Sequence, residues 1–174
     1  MHLLLFLHSD DRFLSAEAID KIVRAELPNP AVDPDGELLI LIQNTMVHGP
    51  CGWMKPKALC MVSNSPGLGA KCSKRFPKDF QEETVVQEDG YPLYRRRNNG
   101  DSFDIPLQVN GAPVLFQFDN RWIVPNNPYL SWKFKAHINV EVCASVHAVK
   151  YIQKYIYKGS DRTTLQVTAK ADET

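Results

Sequence analysis

Hydrophobic and polar positions along the 174 residues fall into short, distinct patterns. Leu3 to Leu7 is apolar on both faces and predicts a buried strand at the centre of a sheet. Ser15 predicts the cap of a helix that carries Ile19, Ile22, Val23 and Leu27 and is stopped by Pro28. Pro28 to Gly36 reads as a linker, and Glu37 to Val47 as a second helix ending at His48-Gly49. Residues 48 to 80 read as irregular, and 81 to 103 as polar and loop-like. Asn110-Gly111, between Leu107-Gln108-Val109 and Val114-Leu115-Phe116, is a hairpin signal. Asp119-Asn120 then turns the chain into Trp122-Ile123-Val124. Residues 132 to 142 alternate throughout, with Trp132, Phe134, Ala136, Ile138, Val140 and Val142 on one side and Lys133, Lys135, His137, Asn139 and Glu141 on the other. That predicts a strand with one dry and one wet face. The pattern as a whole is an α+β domain, an antiparallel sheet with helices packed on it.

The alternating strand feeds a helix with three stripes. Val142, Val146, Val149, Ile152 and Ile156 form the apolar stripe. Ala144, Ala148, Tyr151 and Tyr155 form the second. His147, Lys150, Lys154 and Lys158 form the third. Tyr151 and Tyr155 thus lie between a buried seam and a cationic edge, where a phenol can reach a phosphate. The plainer reading is half-buried packing beside a solvated lysine face.

Composition narrows the field. Lys+Arg and Asp+Glu both number 20, so no global field draws in nucleic acid, and any such binding must come from local patches. The content of 44% hydrophobic and 23% charged residues is that of an ordinary globular domain. The first seven residues lack the basic start and cleavage site of a secretory signal. The expectation is a soluble intracellular protein with no membrane association. Four irregularly spaced cysteines then point to reduced thiols or a metal site.

His48, Cys51, Cys60 and Cys72 offer four soft or borderline ligands in a loop-rich stretch, which suits structural zinc; plain buried thiols are the other reading. Cys143 reads as packing. Lys71, Lys74, Arg75 and Lys78 surround Phe76, and Arg95, Arg96 and Arg97 follow Tyr91 and Tyr94. Cations mixed with aromatics suit single-stranded DNA. Gly67 to Ser73 lacks the Gly-Lys-[Ser/Thr] ending of a phosphate loop, and no strand precedes it, so ATP binding is not expected.

Several blocks together resemble the Helitron rolling-circle transposase nuclease domain, also called the Helitron helicase-like domain. They are His48-Gly49-Pro50-Cys51, Cys72-Ser73-Lys74-Arg75-Phe76-Pro77, Gly90-Tyr91-Pro92-Leu93-Tyr94-Arg95-Arg96-Arg97, Asp119-Asn120-Arg121-Trp122, Asn127-Pro128-Tyr129-Leu130, His137 to Cys143 and Lys150 to Gly159. The resemblance covers residues 1–159, with 48–80 a candidate zinc-binding subregion and 160–174 a polar tail. It implies an HUH nuclease-like fold and a nuclear protein of a transposable element. It also implies nicking and rejoining of single-stranded DNA by a tyrosine hydroxyl, with Mg²⁺ or Mn²⁺ polarising the phosphate. Tyr151 and Tyr155 would be the nucleophiles. His2 would be the second histidine of the metal motif, with Glu141 a further candidate ligand. Lys150, Lys154, Lys158, Arg95, Arg96, Arg97, Lys74 and Arg75 would line the DNA. A full-length family member would carry a helicase domain downstream. The sequence departs from the family in one respect: only Met1 precedes His2, so the motif's first histidine is absent and nicking by this chain alone is expected to be slow or absent. The alternative is a non-catalytic DNA-binding remnant or domesticated module stabilised by zinc.

Overall fold

The computed structural model describes residues 3, 5–13, 15–62, 70–87, 91–109 and 111–143. His2 and the predicted tyrosine helix, with Lys150, Tyr151, Lys154, Tyr155 and Lys158, lie outside the described residues. What is described mixes helices with small antiparallel sheets, compatible with an α+β domain. No helix among the described residues is long and apolar enough to cross a membrane.

Helix α1 (Ala16–Ile22) starts where Ser15 predicts, its hydroxyl accepting from the Ala18 amide at 3.2 Å. It ends at Val23, five residues before Pro28, because Arg24 turns extended and pairs with Asn126 through backbone bonds of 2.8 Å in both directions. Helix α2 (Glu37–Thr45) begins after Gly36, and the Asp33 carboxylate caps it by accepting from the Leu38 and Leu39 amides. It stops two residues short of Val47, which bridges to Ile123.

The expected single sheet is instead three separate two-stranded pairs among the described residues. Strands β1 (Met61–Val62) and β2 (Lys71–Cys72) form one, and β3 (Val85–Val86) and β4 (Pro92–Leu93) another. The third is the predicted hairpin, β5 (Ser102–Val109) against β6 (Ala112–Asp119), closed from Val109↔Ala112 to Ser102↔Asp119. Its strands alternate, and Phe103, Ile105, Leu107, Phe116 and Phe118 face the core around Trp122.

Three more expectations fail. Leu3, Leu5, Phe6 and Leu7 form no strand and are exposed, at 71%, 74%, 85% and 41%. Residues 132 to 142 are not one strand either. Asn127 accepts from the Leu130 amide and Pro128 takes the first helical position, so helix α3 (Pro128–Phe134) forms over the start of the alternating pattern. Lys135, at φ 47°, ends it. Only from Ile138 does the alternation hold, with Ile138, Val140 and Val142 partly buried and Asn139 and Glu141 exposed. Cys143, expected as packing, is also exposed.

These elements meet at a buried arginine. Arg96, 4% exposed, donates through one terminal nitrogen to the carbonyls of Ala25, Asn120 and Ile123 at 3.2, 2.8 and 2.6 Å. Burial lowers its pKa to about 10. Asn120, also buried, accepts from the Leu27 amide at 2.7 Å and donates to the Arg97 carbonyl at 2.9 Å. Arg95 pairs with Asp20 and Glu26, and Arg97 grips Glu26 with two nitrogens. Arg96→Ala would leave the Ala25 and Ile123 carbonyls without a donor and leave Asn120 only the Ile123 amide, so it should cost at least about 2 kcal/mol. Urea unfolding checks this; a loss below about 1 kcal/mol would mean water replaces the guanidinium freely.

Candidate metal centre

His48, Cys51, Cys60 and Cys72 converge, with one ligand atom from each lying within 4.8 Å of all the others. Local structure explains the convergence. The Val47–Ile123 bridge and the bond from the His48 amide to the Trp122 carbonyl, 2.8 Å, fix the first ligand. A 3-10 turn at Gly52–Met54 follows Cys51, and the Gly52 amide donates to Met61 Sδ at 3.2 Å. Cys60 and Cys72 are far apart in sequence, yet the β1–β2 ladder pairs Met61 with Cys72, and the Ser73 amide donates to the Cys60 carbonyl at 2.7 Å. The irregular gap in the sequence is the connection between two paired strands.

Gly49 makes the approach possible. Its φ is 141°, and a Cβ there would stand 3.2 Å from a ring carbon of Phe118. Phe76 stacks on the His48 ring, centroids 4.2 Å apart and planes 16° apart, and orients the imidazole. His48 Nε2 lies 3.3 Å from Cys72 Sγ. Phe76 is therefore half-buried support for a ligand, with Lys78 5.1 Å over its ring.

The donor set fits a soft, four-coordinate divalent ion. A tetrahedral zinc with bonds of about 2.3 Å to sulfur sets its ligands roughly 3.8 Å apart, so closing from 4.8 Å is a small adjustment. Electrostatics support ligation by a neutral imidazole: burial, then Lys74 and Lys78, lowers the His48 pKa. The thiols are uneven. Burial and the neighbouring Cys72 and Cys60 push Cys51 up to about 12. Burial opposes ionisation of Cys72 too, but amide hydrogen bonds from Phe76 and Lys74 outweigh it and lower its pKa. Cys72 therefore yields its proton more readily than Cys51.

The other sequence candidates do not gather here. Glu141 is exposed and accepts from Asn139 at 3.0 Å. His137 Nδ1 lies 2.6 Å from the Thr45 carbonyl, to which it donates, at the end of α2. Lys74 and Arg75 stand exposed just after Cys72. Of the Arg95–Arg97 run and Tyr94, read as a surface for DNA, Arg97 is exposed and paired with Glu26, and Arg95 is half-buried between Asp20 and Glu26. Arg96 and Tyr94 are buried, and Tyr94 Oη accepts from the Val142 amide at 2.7 Å. Sequence reasoning passed over Phe76 as a ring supporting a ligand; its place four residues after Cys72 was the available signal.

Metal binding must displace the thiol protons, so affinity for Zn²⁺ should fall as pH falls, by about tenfold per pH unit for each proton displaced. Competition against a chromophoric chelator measures this. Affinity that stays flat between about pH 6 and 8 would contradict thiolate ligation. No protein-family model matches the chain, and no curated protein matches it.

Proposed function

We propose that this chain is part of a Helitron-type nuclease domain in which residues 48–80 form a zinc-organised scaffold and single-stranded DNA is the substrate. The observation that carries the scaffold is the His48/Cys51/Cys60/Cys72 cluster. Two of the sequence blocks that resemble the family, His48 to Cys51 and Cys72 to Pro77, supply three of its ligands and the ring stacked on His48. Two more, around Arg96 and Asn120, supply the polar junction next to it. The resemblance therefore runs through residues with physical work to do in one place.

The nuclease chemistry rests on the resemblance. Tyr151 and Tyr155 would attack the phosphate in turn, and His2 would contribute to a Mg²⁺ or Mn²⁺ site that polarises it. A zinc-stabilised DNA-binding module without cleavage is the second reading. It requires only the His48/Cys51/Cys60/Cys72 cluster and no second metal site.

The purified chain should carry about one zinc per molecule, the expectation for a structural four-ligand site. Replacing Cys60 and Cys72 by Ser should remove it, and a chelator should loosen residues 48–80, read by hydrogen exchange, before the rest unfolds. Metal-free protein with an unchanged melting curve would favour plain buried thiols. For the nuclease, a protein extended upstream to supply the first histidine should attach covalently to single-stranded DNA with Mn²⁺. The Tyr151→Phe/Tyr155→Phe double variant should lose the adduct; an undiminished adduct would reassign the nucleophile.

A further inference from the structure

The geometry points to a second, non-catalytic surface on the metal-organised loop: a platform for an unpaired nucleic-acid base formed by the Trp53 ring, with Lys55 and Lys57 beside it in the chain for the phosphates. It rests on the metal reading above for the loop's fixed position.

A lone exposed apolar side chain is ordinary, but Trp53 differs in three respects. It is 64% exposed while its neighbours Cys51 and Met54 are buried at 1% and 7%, so the turn that carries it is pinned on both sides. Its ring meets Phe116 only edge-on, centroids 6.1 Å apart, which steadies it and leaves ring face open. The other exposed aromatics described after residue 50 are Tyr129, Trp132 and Phe134, and each carries a lysine over its ring. Lys135 stands 3.0 Å from the Trp132 ring centre. Among the described residues no cation covers Trp53. It is an exposed aromatic surface on a pinned turn, with no stacked ring or cation over it among the described residues.

Charge selects the occupant. Within 48–80 the charged side chains are Lys55, Lys57, Lys71, Lys74, Arg75 and Lys78 against Asp79 alone, in a chain that is neutral overall. Three thiolates around a divalent ion return only one negative charge, so the region stays strongly cationic when loaded. Lys55, Lys57, Lys71, Lys74 and Arg75 are exposed, and Pro56 stiffens the segment between the first two. An open indole face with exposed lysines two and four residues on in the chain fits a single strand, whose bases are free to stack while its phosphates pair with lysine. A duplex hides those faces.

The test uses the full zinc-loaded chain and fluorescein-labelled oligothymidylate, followed by anisotropy across a salt series, with zinc content measured for every variant. Trp53→Ala should bind roughly tenfold more weakly, while Trp53→Phe keeps most of the affinity and Trp132→Ala changes nothing. Lys55→Ala/Lys57→Ala should flatten the log–log salt dependence by about 0.7 for each phosphate left without its lysine. Should Trp53→Ala shed its zinc, Trp53→Phe and the lysine pair decide the matter. Wild-type binding by Trp53→Ala with zinc intact overturns the platform and leaves the metal reading standing. Trp53-dependent binding by a metal-free chain does the reverse. No binding to thymidylate at low salt, with capture of phosphatidylserine vesicles instead, makes the surface a membrane contact and overturns the proposal.

Discussion

Four soft donors drawn from three separate pieces of chain are the constraint on which residues 48–80 depend. Strands of two residues and a single 3-10 turn bury too little to hold themselves. The hairpin β5–β6 covers one side of this region through Phe116 and Phe118, and Trp122 fills the space between. That apolar seat brings the thiols and the imidazole together; a metal ion would lock them by closing loops whose entropy otherwise favours opening. The seat and the ligands are interleaved, since Cys51 belongs to the same buried cluster as Phe118.

The rest of the described chain is joined by polar convergence of another kind. Arg96 and Asn120 tie residues 25–27, 96–99 and 120–123 to one another by bonds to backbone atoms and to Asn99. Segments with little regular structure have unpaired backbone groups to satisfy, and a buried guanidinium and carboxamide meet that need at several points at once. Glu26 shows the electrostatic consequence. Burial works against its ionisation, yet Arg97 and Arg95 hold its pKa below the usual carboxylate value. Arg96 thus serves as internal framework, and Arg95 and Arg97 flank it in ion pairs with Asp20 and Glu26.

Much of the local structure was legible in the sequence. Ser15, the Asn110-Gly111 turn and the start of α2 are signals that act within a few residues, and neighbouring chain did not override them. The metal ligands were legible as residue types in a loop-rich stretch. Their union depended on the Met61↔Cys72 ladder, which no spacing rule states. Residues 132–142 misled because period-two alternation ignores a cap: Asn127 and Pro128 start a helix before the pattern can act. The arginine run misled because exposure is a tertiary property. Nothing local distinguishes Arg96, buried under three carbonyls, from Arg97 at the surface.

His48, Cys51, Cys60 and Cys72 together could hold one soft divalent ion. X-ray absorption at the zinc edge on the loaded chain tests it most directly. Ligation by these four side chains gives a four-coordinate shell of about three sulfurs near 2.3 Å and one nitrogen near 2.0 Å. A shell of oxygen and nitrogen alone, or one of higher coordination without sulfur, would contradict it.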